Sequence, residues 1–262
     1  MIQSALINVM VKAARRAGRS LKRDLGEIEN LQVSLKGPAN FVSNADKRAE
    51  EMLYTDLSKA RPGYGFLGEE GGVREGTDKS HTWIVDPLDG TTNFLHGIPQ
   101  FAISIGLQRD GVIIAGVIYN PANDELYISE RGKGAFLNDQ RLRVAGRKLL
   151  SDSVVACGLP HIGRGDLALA HKELAAIMPK VAGLRRFGAA SLDLAAVAAG
   201  RLDGYWERNL QPWDLAAGIL MIREAGGTVS GMLGKDDALT TGDVICGNEP
   251  IHRELVKVLG AV

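Results

Sequence analysis

The chain has 262 residues, of which 45% are hydrophobic and 24% are charged, a composition typical of a globular protein with one large core or two subdomains. Its 31 Lys and Arg side chains balance 31 Asp and Glu side chains, so no net field attracts nucleic acid or an anionic membrane. The longest apolar stretch, residues 112–119, is far shorter than the roughly 18 residues that a membrane span needs.

The first predicted element is a helix over residues 2–24, in which apolar side chains recur at helical spacing. We expect no signal peptide here, because four basic side chains interrupt any apolar core: Lys12, Arg15, Arg16 and Arg19. Further along, Cys157 and Cys246 lie in apolar runs, which indicates two buried thiols rather than a disulfide. Unpaired thiols are typical of a reducing compartment, so we expect a cytoplasmic protein without a membrane partner.

A second helix is predicted over residues 45–59, after a break at Lys36-Gly37-Pro38 and with Ser43 or Asn44 as its cap. Asp46 falls in the first turn of this helix. A carboxylate at that position can cap the helix or complement its dipole, so a structural role for Asp46 stays open beside a functional one.

The residues after the apolar run 83–85 are the most informative part of the sequence. The run favours a short buried strand, and we expect the strand to end before Asp86-Pro87-Leu88-Asp89. Both aspartates are therefore predicted on a turn at the carboxyl end of the strand, where open α/β sheets tend to bind ligands. Gly90 then lets the backbone approach a ligand closely, and the Thr91 and Thr92 hydroxyls can bind an anion.

Electrostatics narrows what these two aspartates can do. Two like charges about 4 Å apart repel by roughly 4 kcal/mol at an effective dielectric of 20. The pair must share a proton, move apart or hold a cation, and oxygen ligands of this kind suit Mg²⁺, Mn²⁺ or Ca²⁺. For Asp-Gly alone a solvated surface turn is the ordinary interpretation. The whole string of residues 83–94 favours the cation.

A second acidic turn precedes the first in the chain. A short strand is predicted at residues 65–67, and it ends in Glu69-Glu70 between glycines. This signal is weak by itself. Glu69 lies 17 positions before Asp86, and a hairpin-like return of the chain could bring the two carboxylates together.

The remaining pattern changes near residue 150. Residues 81–145 predict an antiparallel meander with a hairpin at Asp110-Gly111. After it, strands and helices alternate as in an α/β protein. The predicted strands are 154–156, 184–187, 205–207, 227–230 and 243–246, and the predicted helices are 166–178, 190–199, 214–225 and one from 249. We expect a single domain over 1–262, with subdomains at about 1–148 and 149–262 around one core.

Four charged positions of the second half could reach the aspartate turn. Asp214 is predicted at or near the N-cap of its helix, where capping is the ordinary role but anions also gather. Arg185, Arg186 and Glu207 end predicted strands, where ligands are usually bound, although surface ion pairs would explain them as well.

Read together, three segments resemble the inositol monophosphatase family over essentially the whole chain. They are Gly68-Glu69-Glu70, Asp86-Pro87-Leu88-Asp89-Gly90-Thr91-Thr92-Asn93-Phe94 and Trp213-Asp214-Leu215-Ala216-Ala217-Gly218. The segment 188–207 is similar to bacterial members. The resemblance implies a mixed α/β fold, a layered α-β-α-β-α sandwich, usually assembled as a homodimer. It also implies Mg²⁺-dependent, lithium-sensitive hydrolysis of a small-molecule phosphate monoester, myo-inositol monophosphate, by attack of water without a covalent intermediate.

The resemblance also implies roles for individual residues. The implied metal ligands, for two or three Mg²⁺ ions with Mn²⁺ as an alternative, are Glu69, Asp86, the Leu88 carbonyl, Asp89 and Asp214. The implied catalytic residues, which orient and activate water, are Thr91, Glu69 and Asp46, with Thr91 bonded to Asp46. The implied substrate contacts are Leu88, Asp89, Gly90, Thr91, Arg185, Gly188, Ala189, Ala190, Glu207 and Asp214. Lys36 matches a basic position near the site.

Several alternatives stay open at this stage. An aspartyl-phosphate mechanism of the haloacid dehalogenase type is disfavoured, because that motif has one residue fewer between its aspartates. Fructose-1,6-bisphosphatase and the nucleotide 3′-phosphatases share the metal scaffold, although Thr92-Asn93-Phe94 favours the inositol phosphatase branch. A non-catalytic regulatory role with RNA-processing partners is a third alternative. The complete acidic ligand set and the zero net charge argue against it as the sole role, and make nucleic acid an unexpected partner.

Overall fold

Two β-sheets alternate with three layers of helices in the computed structural model, which describes residues 4–26, 33–35, 41–161, 163 and 165–262. The elements up to residue 141 are α1 (Ala5–Leu25), β1 (Val33–Leu35), β2 (Phe41–Ser43), α2 (Asn44–Ala60), β3 (Tyr64–Gly68), β4 (Gly72–Arg74), β5 (Asp78–Asp89), α3 (Thr91–Leu95), β6 (Ala102–Arg109), β7 (Val112–Asn120), β8 (Glu125–Glu130), β9 (Gly134–Leu137) and β10 (Gln140–Arg141).

The elements after residue 150 form the second sheet and its helices. They are β11 (Val154–Cys157), α4 (Leu167–Ile177), β12 (Gly183–Arg185), α5 (Ala190–Ala198), β13 (Gly204–Glu207), α6 (Pro212–Glu224), β14 (Thr228–Ser230), α7 (Ala238–Thr241), β15 (Val244–Gly247) and α8 (Glu249–Leu259). Short 3-10 helices cover Leu150–Asp152 and Met178–Lys180.

The first sheet has eight strands in the order β10-β9-β8-β7-β6-β5-β3-β4. Its strands from β5 to β10 pair antiparallel with their neighbours, which confirms the meander predicted for residues 81–145. Asp110 and Gly111 form the predicted hairpin turn between β6 and β7, both with positive φ angles, of 49° and 81°. Strand β3 is the exception in this sheet, since it pairs parallel to β5.

The second sheet has five strands in the order β12-β11-β13-β15-β14. Strand β11 is parallel to both neighbours, and the other pairs are antiparallel. The predicted strand at 184–187 is wrong in its bounds, because β12 covers Gly183–Arg185 and leaves residues 186–187 in the connection to α5. Cys157 and Cys246 are buried and free, as predicted.

Packing of the helices on the two sheets gives the layers. Helices α1 and α2 lie on the outer face of the first sheet, where the apolar stripe of α1 joins side chains of β5 to β7 in one core. Helices α5 and α6 lie between the two sheets. Helices α4 and α8 lie on the outer side of the second sheet. The order of layers is α-β-α-β-α, which confirms the predicted sandwich.

The approach of α6 to the first sheet positions part of the site. A Cβ atom built on Gly106 of β6 would lie 2.8 Å from the Ala216 Cβ, and one on Gly116 of β7 would lie 3.0 Å from the Ala217 Cα. Glycines on the strands and alanines on the helix therefore let the two backbones meet closely. The N-terminal turn of α6, which contains Asp214, is held against the end of β6 in this way.

The two N-terminal helices agree with their predictions. Helix α1 runs to Leu25, and residues 2 and 3 of the predicted helix lie outside the described residues. Helix α2 begins at Asn44 and has Asp46 in its first turn. None of the helices in the described ranges is both long and apolar enough to cross a membrane.

Candidate active site

A bulge at the end of β5 brings the first two aspartates together. Asp86 pairs with Ser104 and Asp89 pairs with Ala102, so four residues of β5 oppose three of β6. The predicted turn after residue 85 is therefore wrong in its details, since the strand continues to Asp89 through this irregularity. In a regular strand, side chains three positions apart, such as those of Asp86 and Asp89, point to opposite faces. The extra residue in the bulge shifts the alternation by one position, so both aspartates can point to the same face. The Leu88 N–H also donates to the Asp86 Oδ1 at 2.8 Å.

A tight turn at Gly90 follows the bulge and starts the short helix α3. Gly90 has a φ of +86°, and a Cβ atom there would lie 2.8 Å from the Gln100 carbonyl oxygen. Only glycine fits this position without strain. The Thr91 hydroxyl donates to the Leu88 carbonyl oxygen at 3.0 Å, so the expected bond from Thr91 to Asp46 stays a prediction.

Helix α6 supplies the third aspartate. Gln211 is the N-cap of α6 and Asp214 occupies the third helical position, in the first turn, which agrees with the prediction that Asp214 lies at or near the N-cap. The Asp214 Oδ2 accepts the Gln211 N–H at 2.8 Å, and the Gln211 side chain accepts the Asp214 N–H, forming a capping box. The Ser104 hydroxyl donates to the Trp213 carbonyl oxygen at 3.1 Å and joins this turn to β6.

The three aspartates form one cluster in the described part of the chain. Asp86, Asp89 and Asp214 each offer a carboxylate oxygen within 4.8 Å of the others, with Asp86 buried and the other two half-buried. Burial raises the pKa of all three, and the charges acting on Asp86 and Asp214 are those of neighbouring carboxylates. Three crowded oxygen donors with unbalanced negative charge fit a hard divalent cation such as Mg²⁺.

Glu69 lies next to the cluster without belonging to it. The Glu69 N–H donates to the Val85 carbonyl oxygen at 3.3 Å, at the end of the parallel pair β3–β5. A parallel pairing, rather than the expected hairpin-like return, therefore places Glu69 beside Asp86. The charge of Glu69 contributes to the raised pKa of Asp86, after burial, and to that of Asp214.

Glu50 of α2 holds the loop that carries Glu69. The carboxylate of Glu50 is buried and accepts the N–H groups of Glu70 and Gly71 at 2.8 and 2.7 Å. Asp46, one turn earlier on α2, is also buried. Lys36 lies outside the described residues.

The segment 188–190 meets the Gly90 turn from the second half of the chain. A Cβ atom on Gly90 would lie 3.1 Å from the Ala189 Cβ, and the Asn93 side chain donates to the Phe187 carbonyl oxygen at 2.9 Å. The N–H and hydroxyl of Ser191, in the first turn of α5, both donate to Asp89. The predicted substrate positions Gly188, Ala189 and Ala190 therefore adjoin the aspartate cluster.

Glu207 is a half-buried carboxyl next to the cluster. Burial raises the pKa of Glu207 to about 7, with a further rise from the Asp89 charge, and the Tyr205 hydroxyl that donates to it opposes that rise. A Cβ atom on Gly158 would overlap the Glu207 carboxyl carbon at 1.8 Å, so the glycine that follows β11 leaves room for this side chain. Asp193 of α5 is buried, and its Oδ1 has no hydrogen-bond partner among the described residues.

The two arginines before the segment 188–190 differ in their relation to the site. Arg186 is the cation that lowers the pKa of Glu207 and of Asp193, although burial and neighbouring carboxylates outweigh it. Arg185 is exposed, and its guanidinium donates to the carbonyl oxygen of its neighbour Leu184 at 3.0 Å. The predicted contact of Arg185 with substrate stays a prediction, and Arg186 is the arginine whose charge acts on Glu207 and Asp193.

A cavity of about 290 Å³ opens beside Glu207 and Asp214, towards the start of α4. Its other ionisable lining residues include Asp166 and the buried Glu173. Arg208 pairs with Glu173 at 2.7 Å and with Asp243 at 3.3 Å. Carboxylates thus dominate the described lining.

Three residues of the site were not singled out in the sequence as functional: Glu50, Ser191 and Asp193. Asp193 carries the clearest signal, because a carboxyl between two leucines in an apolar helix needs a polar environment. The others are ordinary residues in their local sequence, and only the tertiary fold reveals their contacts.

A family model described as the inositol monophosphatase family matches residues 2–261. An inositol-1-monophosphatase of Mesorhizobium japonicum is 63% identical over 259 residues, which are 99% of this chain and 97% of that protein. The Nus factor SuhB of Escherichia coli is 39% identical, over 96% of this chain and 94% of that protein. The crystal structure of the extragenic suppressor protein suhB from Bartonella henselae superposes with a TM-score of 0.95 at 58% identity, covering 98% of each chain.

Proposed function

The chain is a phosphatase that belongs to the inositol monophosphatase family, and we propose that Asp86, Asp89 and Asp214 hold the metal ions with which it hydrolyses myo-inositol monophosphate to inositol and phosphate. The observation that carries the proposal is the convergence of these carboxylates from β5 and α6 within 4.8 Å.

The proposed cofactor is Mg²⁺, with two or three ions per site and Mn²⁺ as a substitute. Glu69 and the Leu88 carbonyl oxygen complete the proposed ligand set, which consists of oxygen atoms throughout. Bound Mg²⁺ supplies Lewis acidity, which makes water a better nucleophile and stabilises the leaving alkoxide. Uncatalysed monoester hydrolysis is slow enough to need up to about 10²¹-fold acceleration, which is a reason to collect several cations around one phosphate.

The chain's own groups on the water side are Glu69, Thr91 and Asp46. Glu69 accepts a proton from the attacking water, and the Thr91 hydroxyl, held within the turn by the Leu88 carbonyl, orients that water. Asp46, buried at the start of α2, supports Thr91. Backbone groups of Gly90 and Thr91 contact the phosphate.

The chain's groups on the leaving-group side come from the second half. Gly188, Ala189 and Ala190 present backbone groups to the hydroxyls of the polyol, because neither alanine has a polar side chain. Glu207 and Asp214 accept hydrogen bonds from those hydroxyls, and the proposed contact of Arg185 lies at the rim. The carboxylates around the adjoining cavity favour an uncharged leaving group over one with a second phosphate, as fructose 1,6-bisphosphate has.

A second role with an RNA-processing partner is a separate candidate. The observation that favours it is the 39% identity with a relative named Nus factor SuhB. The complete acidic cluster and the balanced charge of the chain favour catalysis as the main function.

The cellular location and the oligomeric state also belong to the proposal. Buried free thiols support a cytoplasmic location, and the family resemblance supports a homodimer, which light scattering of the purified protein tests.

Phosphate release from a substrate panel tests the proposed function. The panel contains inositol 1-phosphate, fructose 1,6-bisphosphate and adenosine 3′,5′-bisphosphate, each with Mg²⁺, with excess chelator, and with Mg²⁺ plus Li⁺. We expect release from inositol 1-phosphate that the chelator abolishes and Li⁺ inhibits. Preference for either bisphosphate would assign the chain to a sister branch with the same metal site. No release from any of the three would contradict the phosphatase assignment.

A further inference from the structure

The first turn of α5 holds Asp89 from outside its own strand, through the backbone N–H of Ala190 and two hydrogen bonds from Ser191. The Ser191 N–H donates to the Asp89 Oδ2 at 2.8 Å, and the Ser191 hydroxyl donates to the same oxygen at 2.5 Å. The two residues are 102 positions apart in the chain. The second distance is at the short end of the range for a hydroxyl bonded to a carboxylate, which is a strong, charge-assisted bond.

The Ser191 hydroxyl does not contact solvent, so a surface position does not account for a polar side chain here. The residue is fully buried, between the two sheets in the first turn of α5. Ala189, the N-cap of α5, cannot cap the helix with its own side chain, and Asp89 accepts the Ser191 N–H at that helix end instead. The pairing is therefore reciprocal: Asp89 caps α5, and α5 fixes Asp89.

The two bonds from Ser191 occupy one oxygen of Asp89. Oδ2 accepts both of them, and Oδ1 receives no bond from Ser191. Without a restraint, repulsion from Asp86 and Asp214 would turn the carboxylate of Asp89 away from the cluster. Two donors on one oxygen oppose that rotation. Burial raises the pKa of Asp89, and the Ser191 bonds counteract this effect and favour the charged form.

We propose that Ser191 is a positioning residue, whose hydroxyl locks the Asp89 carboxylate in the orientation that binds Mg²⁺ and so sets the affinity of the site for the metal. This inference rests on the proposed function, since it takes Asp89 to be a metal ligand. It assigns no contact between Ser191 and substrate. The expected signature is a change in metal affinity, with the rate at saturating metal close to that of the wild type.

Mg²⁺ binding measured by calorimetry on the substrate-free protein tests the proposal. Loss of a hydrogen bond that orients a metal ligand typically weakens metal affinity by 10–100-fold, and because the Ser191 N–H bond remains, Ser191→Ala should raise the Kd for Mg²⁺ by about 10-fold. Ser191→Thr keeps the hydroxyl and should restore the wild-type Kd. The Mg²⁺ concentration for half-maximal phosphate release should follow the Kd, while kcat at saturating Mg²⁺ and the KM for inositol 1-phosphate stay close to wild type.

Ser153→Ala is the matched control. Ser153 is equally buried, and its hydroxyl donates one bond, to the Leu149 carbonyl oxygen at 2.7 Å, away from the aspartates. A Kd unchanged in Ser191→Ala, or raised equally in Ser153→Ala, would overturn the proposal. Ser191→Cys keeps a side chain of similar size with a weaker donor, so the same test remains if the alanine variant does not fold. Asp89→Asn separates the role of Ser191 from the assignment of Asp89 as a metal ligand. If Asp89→Asn binds Mg²⁺ as the wild type does, the proposed metal site itself is wrong.

Discussion

Glu207 is the residue whose ionisation gives the metal-free protein a distinctive pH dependence. Its pKa is about 7 in the folded protein, against 4.5 for an unperturbed glutamate, because burial disfavours the charge. The folded state therefore holds this proton more tightly than the unfolded chain. The resulting contribution to stability is complete below pH 4.5 and is lost as the pH rises through 7, a change of roughly 3 kcal/mol.

We predict that Glu207→Gln flattens this dependence. Chelated wild-type protein should lose free energy of unfolding between pH 5 and pH 8, because buried carboxyls of the site must ionise. Glu207→Gln lacks one of those groups, so its free energy of unfolding, measured with urea, should decrease less between pH 5 and pH 8. Equal slopes for the two proteins would show that Glu207 has an ordinary pKa.

Glu50 supports a second prediction at this scale. Its carboxylate accepts two N–H groups of the loop that follows Glu69, so Glu50→Ala leaves two part-buried N–H donors without their partner. We expect a loss of stability of about 1–3 kcal/mol and weaker Mg²⁺ binding, because the Glu69 loop is no longer held. Glu51→Ala is the control, since Glu51 makes an exposed ion pair with Arg74. Similar effects of the two variants would refute a specific role for Glu50.

The sequence was sufficient to identify the aspartates but not the residues that hold them. Asp86, Asp89 and Asp214 could be predicted because their local motifs combine acids with glycine, proline and a helix start. Ser191 and Glu50 act through contacts with residues 102 and 20 positions away, and neither has a local pattern that reveals this. Arg185 and Arg186 are adjacent, and β12 ends between them, so the sequence alone did not distinguish which arginine's charge acts on Glu207.

Among the elements, helix α6 links the sheet packing to the metal site. Gly106→Ala would place a methyl group 2.8 Å from the Ala216 Cβ and force α6 away from β6. Overpacking of this kind costs about 1–3 kcal/mol, and because α6 carries Asp214 we also expect a higher Mg²⁺ requirement. Thermal unfolding and Mg²⁺ titration of phosphate release measure the two effects.

Gly146→Ala provides the comparison for this helix. A Cβ atom at Gly146 has no neighbour within 4 Å, and the φ angle of Gly146 is not positive. The substitution should therefore leave the thermal stability and the Mg²⁺ requirement unchanged. If Gly106→Ala were as mild as Gly146→Ala, the close approach of α6 would not position Asp214.

Most elements were predictable because their periodicity is local. The apolar stripe of α1, the alternation in β6 and the Asp110-Gly111 turn each specify one structure over a few residues. The bulge in β5 was missed because proline and glycine normally indicate a turn, whereas here Pro87 lies in the irregular part of a strand. The parallel pairing of β3 with β5 was missed because strand direction depends on tertiary structure.

For the whole molecule, the prediction of a single domain with two subdomains has a testable consequence. Hydrogen bonds that join residues before and after position 149 include Ser191 to Asp89, Asn93 to the Phe187 carbonyl and Ser104 to the Trp213 carbonyl. Helix α6 packs on strands of both sheets. We therefore expect one cooperative unfolding transition, with coincident midpoints by circular dichroism and tryptophan fluorescence. Two separated transitions would instead define two independent domains.

The most direct test of the account is to measure Mg²⁺ binding and phosphate release on the same preparations of wild type and Asp89→Asn. We predict that the wild type binds Mg²⁺ and hydrolyses inositol 1-phosphate. Asp89→Asn should remain folded by circular dichroism but lose most of its Mg²⁺ binding and most of its phosphate release, because an amide brings no charge to the cluster. Full turnover by Asp89→Asn, or turnover by the wild type that a chelator does not affect, would contradict the assignment of these aspartates to the metal site.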